Sequence, residues 1–207
     1  MGKTEVPPEL EGDDHFAYVV GYPDGMIHPE SNITRAEVAT IFFRLLDDEI
    51  RDANLTKDNS FSDVTSDLWY NTAVSTMAKL NIIKGYPDGN FHGNDNITRA
   101  EFAAIAARFD KKPGNGTIYF SDTANHWAKD EIEKAARNGW INGYPDGTFL
   151  PDKKITRAEA MALVNHVLIR DPQSPEDLLE DMIKWPDNAD TSKWYYLEIQ
   201  EATNSHD

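Results

Sequence analysis

The chain has 207 residues, 40% of them hydrophobic, with 36 acidic against 20 basic side chains and a formal net charge of −16. That hydrophobic share is enough for a packed core and excludes a disordered tail; the acidic balance argues against a nucleic-acid partner and against loose adsorption to anionic lipid or polymer. With no cysteine, disulfide frameworks and thiolate metal sites are excluded, and any anionic ligand must be held by a few placed cations.

No apolar run approaches the roughly 18 residues of a membrane span, so no membrane insertion is expected. The start, Met-Gly-Lys-Thr-Glu, has no apolar signal region. If the protein is exported, the expectation is that this chain is a mature fragment without its export signal.

In chain order, a short stub reaching Phe16 leads into Gly-Tyr-Pro-Asp-Gly at residues 21–25, followed by Ile-Thr-Arg-Ala-Glu at residues 33–37. Val38, Ile41, Phe42, Leu45 and Leu46 then keep helical spacing. Phe61-Ser62-Asp63 leads to Trp69, and Trp69, Val74 and Met77 open a second helical pattern. The glycine motif returns at residues 85–89, a short extended piece is expected at Asn90-Phe91, and Ile-Thr-Arg-Ala-Glu returns at residues 97–101. Phe102, Ile105, Ala106 and Phe109 continue it as a helix, and Lys112-Pro113-Gly114-Asn115-Gly116 reads as a linker.

Phe120-Ser121-Asp122 leads to Trp127 and a helix through Ile132 and Ala135. Then come the glycine motif at residues 143–147, an extended piece at Thr148-Phe149 and the third Ile-Thr-Arg-Ala-Glu at residues 155–159. Ala160, Leu163, Val164, Val167 and Leu168 form its helix, and Asp171-Pro172-Gln173-Ser174-Pro175 is a second linker. Trp185-Pro186-Asp187 leads to Trp194, Ile199 and Ala202, and the chain ends before another glycine motif.

Both five-residue motifs are displaced by 64 residues between the first and second copies and by 58 between the second and third. Such registered recurrence is a repeat. Three first halves and three second halves are offset around the chain, so the C-terminal helix is expected to dock beside the N-terminal motif. The fold class is all-α: three helix–loop–helix repeats in a closed pseudo-threefold arrangement around a shared helical core. The expected divisions are an N-terminal extension over 1–13, repeats over 14–57, 58–114 and 115–173, and a closing half-repeat over 174–207.

Several residues have two readings. Thr34, Thr98 and Thr156, each with Glu three positions on, are capping boxes. Arg35, Arg99 and Arg157 fall in the first helical turn, where a cation is disfavoured by about 0.3–1 kcal/mol. Beside free N–H groups such an Arg suits a carboxylate or phosphate; equally it can bridge to a neighbouring repeat's carboxylate. In Gly-Tyr-Pro-Asp-Gly the Pro, Asp and second Gly are turn chemistry, while Gly21, Gly85 and Gly143 could permit close approach of a ligand. Trp69, Trp127 and Trp194 fit a core, but a half-exposed indole is also a stacking surface for a sugar ring.

Other chemistries fail. Asp88-x-Asn90-x-His92-Gly93 departs from a calcium loop at its fifth position and at its twelfth, Arg99. There is no phosphate-binding glycine loop, no HExxH and no GxSxG, and no acid pair singles itself out for glycoside hydrolysis.

Phe-x-Asp, Trp, Gly-Tyr-Pro-Asp-Gly and Ile-Thr-Arg-Ala-Glu, in this order, resemble the S-layer homology domain over nearly the whole chain. The resemblance implies a spindle with grooves between repeats and no enzymatic activity or cofactor. It implies a non-covalent anchor on the bacterial cell surface that binds secondary cell-wall polysaccharide through a pyruvylated N-acetylmannosamine, with S-layer neighbours as further partners. The motif arginine contacts the acidic sugar in that family, which corresponds to Arg35, Arg99 and Arg157; groove glycines and tryptophans correspond to Gly21, Gly85, Gly143, Trp69, Trp127 and Trp194. On these grounds the three arginines are expected to be partly exposed. A structural assembly module without glycan contact is the rival, and a carbohydrate-acting enzyme a distant third. The first repeat departs from the pattern, with Met26-Ile27-His28 after its turn and no local Trp-bearing half.

Overall fold

A computed structural model describes residues 5–12, 14–110, 118–170, 172–178 and 181–205. The linker expected at residues 112–116 lies outside them, as does Asp171 of the second linker. The regular structure among the described residues is helical: α1 (Arg35–Arg44), α2 (Asp48–Asn54), α3 (Asn71–Lys79), α4 (Arg99–Phe109), α5 (Lys129–Arg137), α6 (Arg157–Leu168) and α7 (Tyr196–Thr203). Two short 3-10 turns, Pro175–Asp177 and Pro186–Asn188, precede α7. Among the described residues no strand forms apart from isolated bridges, and the pieces at Asn90-Phe91 and Thr148-Phe149 stay irregular.

Helices α1, α4 and α6 begin at the motif arginines because all three capping boxes form. Thr34, Thr98 and Thr156 each accept from the backbone N–H three positions on, and Glu37, Glu101 and Glu159 reach back to the cap. Helices α3, α5 and α7 have no side-chain cap. Helices this short need packing to persist, and each lies on a long partner: α3 on α1, α5 on α4 and α7 on α6. The apolar spacing is carried into the core by Val38, Phe42, Phe102, Ile105, Val164, Val167, Ile132, Ile199 and Ala202, all buried.

Helix α2 lacks an apolar period; it starts at Asp47, whose side chain accepts from the N–H of Ile50, and none of its residues is buried.

The repeats are joined by backbone. Ile33 N–H donates to Ile155 C=O at 3.2 Å, Ile97 to Ile33 at 3.0 Å and Ile155 to Ile97 at 3.2 Å, closing a cycle among three fully buried isoleucines. Beyond it, the first N–H groups of each long helix meet carbonyls of the following repeat. Arg35 donates to Asp95, Arg99 to Lys153 and Arg157 to Ser31, at 2.8–2.9 Å. The expectation of free N–H groups at these helix starts is thereby corrected: a neighbouring loop already satisfies them.

The chain ends meet as expected. Tyr18 and Val19 N–H both donate to Ala202 C=O, at 3.1 and 3.0 Å. Arg170, 2% exposed, adds a bond to Asp14 C=O at 2.7 Å.

Candidate functional site

Each Gly-Tyr-Pro-Asp-Gly forms a tight turn. Gly25, Gly89 and Gly147 have φ of 78°, 82° and 83°, the region that favours glycine. Asp24, Asp88 and Asp146 accept from the N–H two residues on at 2.9–3.0 Å.

Gly21, Gly85 and Gly143 are required by packing. A Cβ would lie 2.2 Å from Trp185, 2.6 Å from Phe61 and 2.3 Å from Phe120 respectively. The aromatic of each first half-motif thus seats on the glycine of its second, which accounts for these glycines without a ligand.

The half-motif aspartates had no assigned role in the sequence, although their recurrence with the aromatics signalled one. Asp63 accepts from Phe91 and His92 N–H, both at 2.7 Å; Asp122 from Phe149 and Leu150, both at 2.8 Å; Asp187 from Ile27 and His28, at 3.1 and 2.7 Å. His92, Leu150 and His28 all have positive φ, between 52° and 56°. A side chain there is costly, and the two-oxygen clamp offsets that cost. Asp187 makes its clamp across the joined chain ends.

The motif arginines reach across to the next repeat. Arg35 Nε donates to Phe91 C=O at 2.9 Å, and the guanidinium lies over the Tyr86 ring, 4.7 Å from its centroid. Arg157 repeats this with Ile27 C=O at 2.8 Å and Tyr22 at 4.6 Å, and Arg99 with Phe149 C=O at 2.8 Å and Tyr144 at 5.0 Å.

Their partial exposure was expected and is corrected for two of them. Arg35 is 6% and Arg157 4% exposed. Each forms an ion pair with the capping glutamate of the next repeat, Arg35 with Glu101 at 3.0 Å and Arg157 with Glu37 at 2.8 Å. Arg99 is half-buried and differs. Lys153 takes Glu159 at 2.8 Å, and Arg99 donates to Asn142 C=O instead.

The tyrosines complete this network. Tyr22 hydroxyl donates to Glu37 at 2.7 Å and Tyr86 hydroxyl to Glu101. Burial first, then the adjacent carboxylate, pushes both phenols up to about 12. Burial works to raise the Glu37 carboxyl, but donors from Tyr22 and Thr34 and the charge of Arg157 outweigh it and leave it below its ordinary value. Glu159 is likewise lowered, by Lys153 and Thr156 against burial. Burial lowers the Arg99 guanidinium.

The tryptophans overturn the core reading. Trp69, Trp127 and Trp194 are 65%, 62% and 62% exposed. Each precedes its helix by two residues, off the helical face that buries Val74, Ile132 and Ile199.

Two grooves bring these parts together. A cavity of about 620 Å3 is bounded by Gly85, Tyr86, Pro87, Arg35, Glu101 and Arg108 on one side and by Trp127 and Glu131 of the next repeat on the other. A second, of about 420 Å3, is bounded by Gly21, Tyr22, Pro23, Glu37, Arg44 and Arg157 with Trp69. Among the described residues no cluster suited to a metal ion occurs, and no helix is long and apolar enough to cross a membrane.

The chain is 38% identical over 98% of its length to cell surface glycoprotein 1 of Acetivibrio thermocellus, covering 9% of that protein. It is 36% identical, again over 98% of its length, to the cellulosome-anchoring protein of the same organism, covering 45% of it. An amylopullulanase of Thermoanaerobacterium thermosulfurigenes is 38% identical over 72% of this chain and 8% of its own length. The chain thus spans less than half of these relatives. The S-layer homology domain family matches residues 17–39, 60–103 and 119–161, segments that hold the glycine turns, the exposed Trp69 and Trp127 and the capping boxes; the chain belongs to the S-layer homology domain family.

Proposed function

We propose that the chain is a non-covalent cell-wall anchor that binds an anionic, pyruvylated secondary wall polysaccharide in the grooves between its repeats. The observation that carries this is local charge reversal. In a chain of net charge −16, the larger groove has Arg35, Lys84 and Arg108 against Glu101 and Glu131, and the smaller has Arg44 and Arg157 against Glu37. Each groove also presents an exposed indole to stack on a sugar ring. The backbone cycle through Ile33, Ile97 and Ile155 supports a pseudo-threefold arrangement with a third groove at Gly143, Arg99 and Trp194.

The chain's similarity to a cell surface glycoprotein and to a cellulosome-anchoring protein supports a surface location. The match to the amylopullulanase is confined to a small share of that enzyme, which fits attachment and not catalysis as the role of this segment. The assembly reading, without glycan contact, is favoured at two positions by the Arg35–Glu101 and Arg157–Glu37 pairs, which bridge repeats. These two arginines hold the groove walls, and Arg99 is the motif arginine able to meet a ligand carboxylate without losing a protein one.

One arginine–carboxylate bond contributes roughly 1.5–3 kcal/mol, so one groove binds modestly. Several grooves on one rigid body against a dense polymer raise retention by about 10²–10⁴-fold. The test is sedimentation with purified sacculi before and after the secondary polymer is stripped. Binding to the intact sacculi and loss on the stripped ones is expected; equal binding to both overturns the proposal.

A further inference from the structure

The two grooves described above each contain two arginines, and in each the motif arginine is already neutralised. Arg35 gives its guanidinium to Glu101 and to the carbonyls of Phe91 and Lys84. Arg157 gives its own to Glu37, Tyr22 hydroxyl and Ile27 carbonyl. An incoming carboxylate would have to displace the buried Glu101 from one or the half-buried Glu37 from the other, at the cost of leaving that charge unpaired.

The second arginine of each groove is different. Arg108 and Arg44 are the ninth residues after Arg99 and Arg35. Arg108 donates Nη1 to Ile82 C=O at 2.9 Å, and its Nε is buried with no acceptor. Arg44 donates Nη2 to Ala17 C=O at 3.1 Å. Neither is ion-paired with a described carboxylate, although Glu131 faces Arg108 across the cavity. Each stands seven residues beyond the glutamate that holds the motif arginine, Glu101 on α4 and Glu37 on α1. Two helical turns put it on the same face, about 10 Å along the axis.

We infer that Arg44 and Arg108 are the carboxylate-binding arginines of their grooves, while the indoles of Trp69 and Trp127 carry the sugar ring. This rests on the proposal that the grooves bind an acidic wall sugar. At Arg108, which lines the cavity and has no ion-pair partner among the described residues, a carboxylate displaces no protein acceptor, and an Arg fork holds it in two parallel bonds. The third repeat has His166 at the equivalent position, with Nδ1 buried and without a partner. There the motif arginine Arg99 is left without a carboxylate of its own, since Lys153 holds Glu159.

The test compares the chain with Arg44→Gln/Arg108→Gln, Arg44→Lys/Arg108→Lys and His166→Arg variants. The probes are sacculi carrying the polymer, sacculi depyruvylated by mild acid, and stripped sacculi. The Gln pair should stay folded and lose about tenfold or more in affinity for pyruvylated sacculi, with little change on depyruvylated ones. The Lys pair should retain part of the binding, because a point charge replaces a fork, and His166→Arg should tighten it. A folded Gln pair with unchanged affinity overturns the assignment. If the Gln pair does not fold, unchanged affinity in both the Lys pair and His166→Arg overturns it. If the unaltered chain binds depyruvylated sacculi equally well, the carboxylate contact falls while anchoring stands. If it does not distinguish intact from stripped sacculi, both fall.

Discussion

Arg35 and Glu101 come from successive repeats and meet at 3.0 Å with their side chains 7% and 10% exposed. The same glutamate caps α4 through Thr98 and accepts from Tyr86. One carboxylate therefore ties helix start, turn and neighbouring repeat together. Arg157 and Glu37 repeat this relation, while Lys153 breaks it at Glu159.

Removing one member of a buried pair leaves the other charge uncompensated. Arg35→Gln should cost about 3–5 kcal/mol, and Arg157→Gln, whose partner Glu37 is 20% exposed, about 2–4 kcal/mol. Arg99→Gln removes hydrogen bonds but orphans no glutamate, and should cost about 1–2 kcal/mol. Urea denaturation measures all three; equal losses would show that the Lys153 substitution of partners has no energetic consequence.

Stability should fall at both pH extremes for identifiable reasons. Glu37 and Glu159 are held below their ordinary 4.5 in the fold. Their contribution is present above that value and is lost as pH falls through the folded pKa values. Tyr22 and Tyr86 are raised from 10.0 to about 12, so their contribution is full below pH 10 and is lost as pH rises to about 12. Thermal melts across pH should show both slopes, and Tyr22→Phe/Tyr86→Phe should flatten the alkaline one; an unchanged alkaline slope would count against these phenols as its source.

The long helices, their caps and the closure of the ends were legible because each is written in local pattern: Thr-x-x-Glu, apolar spacing, and an unmatched half-motif at each end. Between the core and stacking readings of Trp69, Trp127 and Trp194 the sequence did not decide, because the apolar spacing runs through them, whereas each lies two residues before its helix. Burial of Arg35 and Arg157 was not legible, since which carboxylate meets an arginine is decided between repeats. The aspartate clamps were visible as recurrence, but their targets, N–H groups 27 to 29 residues on for Asp63 and Asp122 and 159 to 160 residues back for Asp187, belong to the tertiary structure.

Gly85→Ala should destabilise by about 1–3 kcal/mol through overpacking, since its Cβ would meet Phe61 at 2.6 Å and Asn90 C=O at 2.7 Å. At Gly21 the collision is with Trp185 at 2.2 Å, and the nearest carbonyl, Met26, lies at 3.0 Å. Shrinking the ring should therefore relieve Gly21→Ala more than Gly85→Ala. Double-mutant cycles of Gly21→Ala with Trp185→Leu and of Gly85→Ala with Phe61→Leu measure this; equal coupling energies would contradict the backbone clash at Gly85.

The tryptophans separate stability from binding. Trp140 is 2% exposed, and truncating it to Ala should cost about 3–5 kcal/mol by opening a core cavity. Trp127 is 62% exposed, and its truncation should change stability by no more than about 0.5–1 kcal/mol. It removes one wall of the larger groove, so retention on polymer-bearing sacculi should drop several-fold while the melting temperature barely moves. Trp69→Ala should do the same for the smaller groove, and the two together should lose more than either alone because the sites cooperate through avidity. If Trp127→Ala unfolds the chain, its exposure has been misassigned. If both truncations leave the chain folded and retention unchanged, the indoles do not carry the sugar.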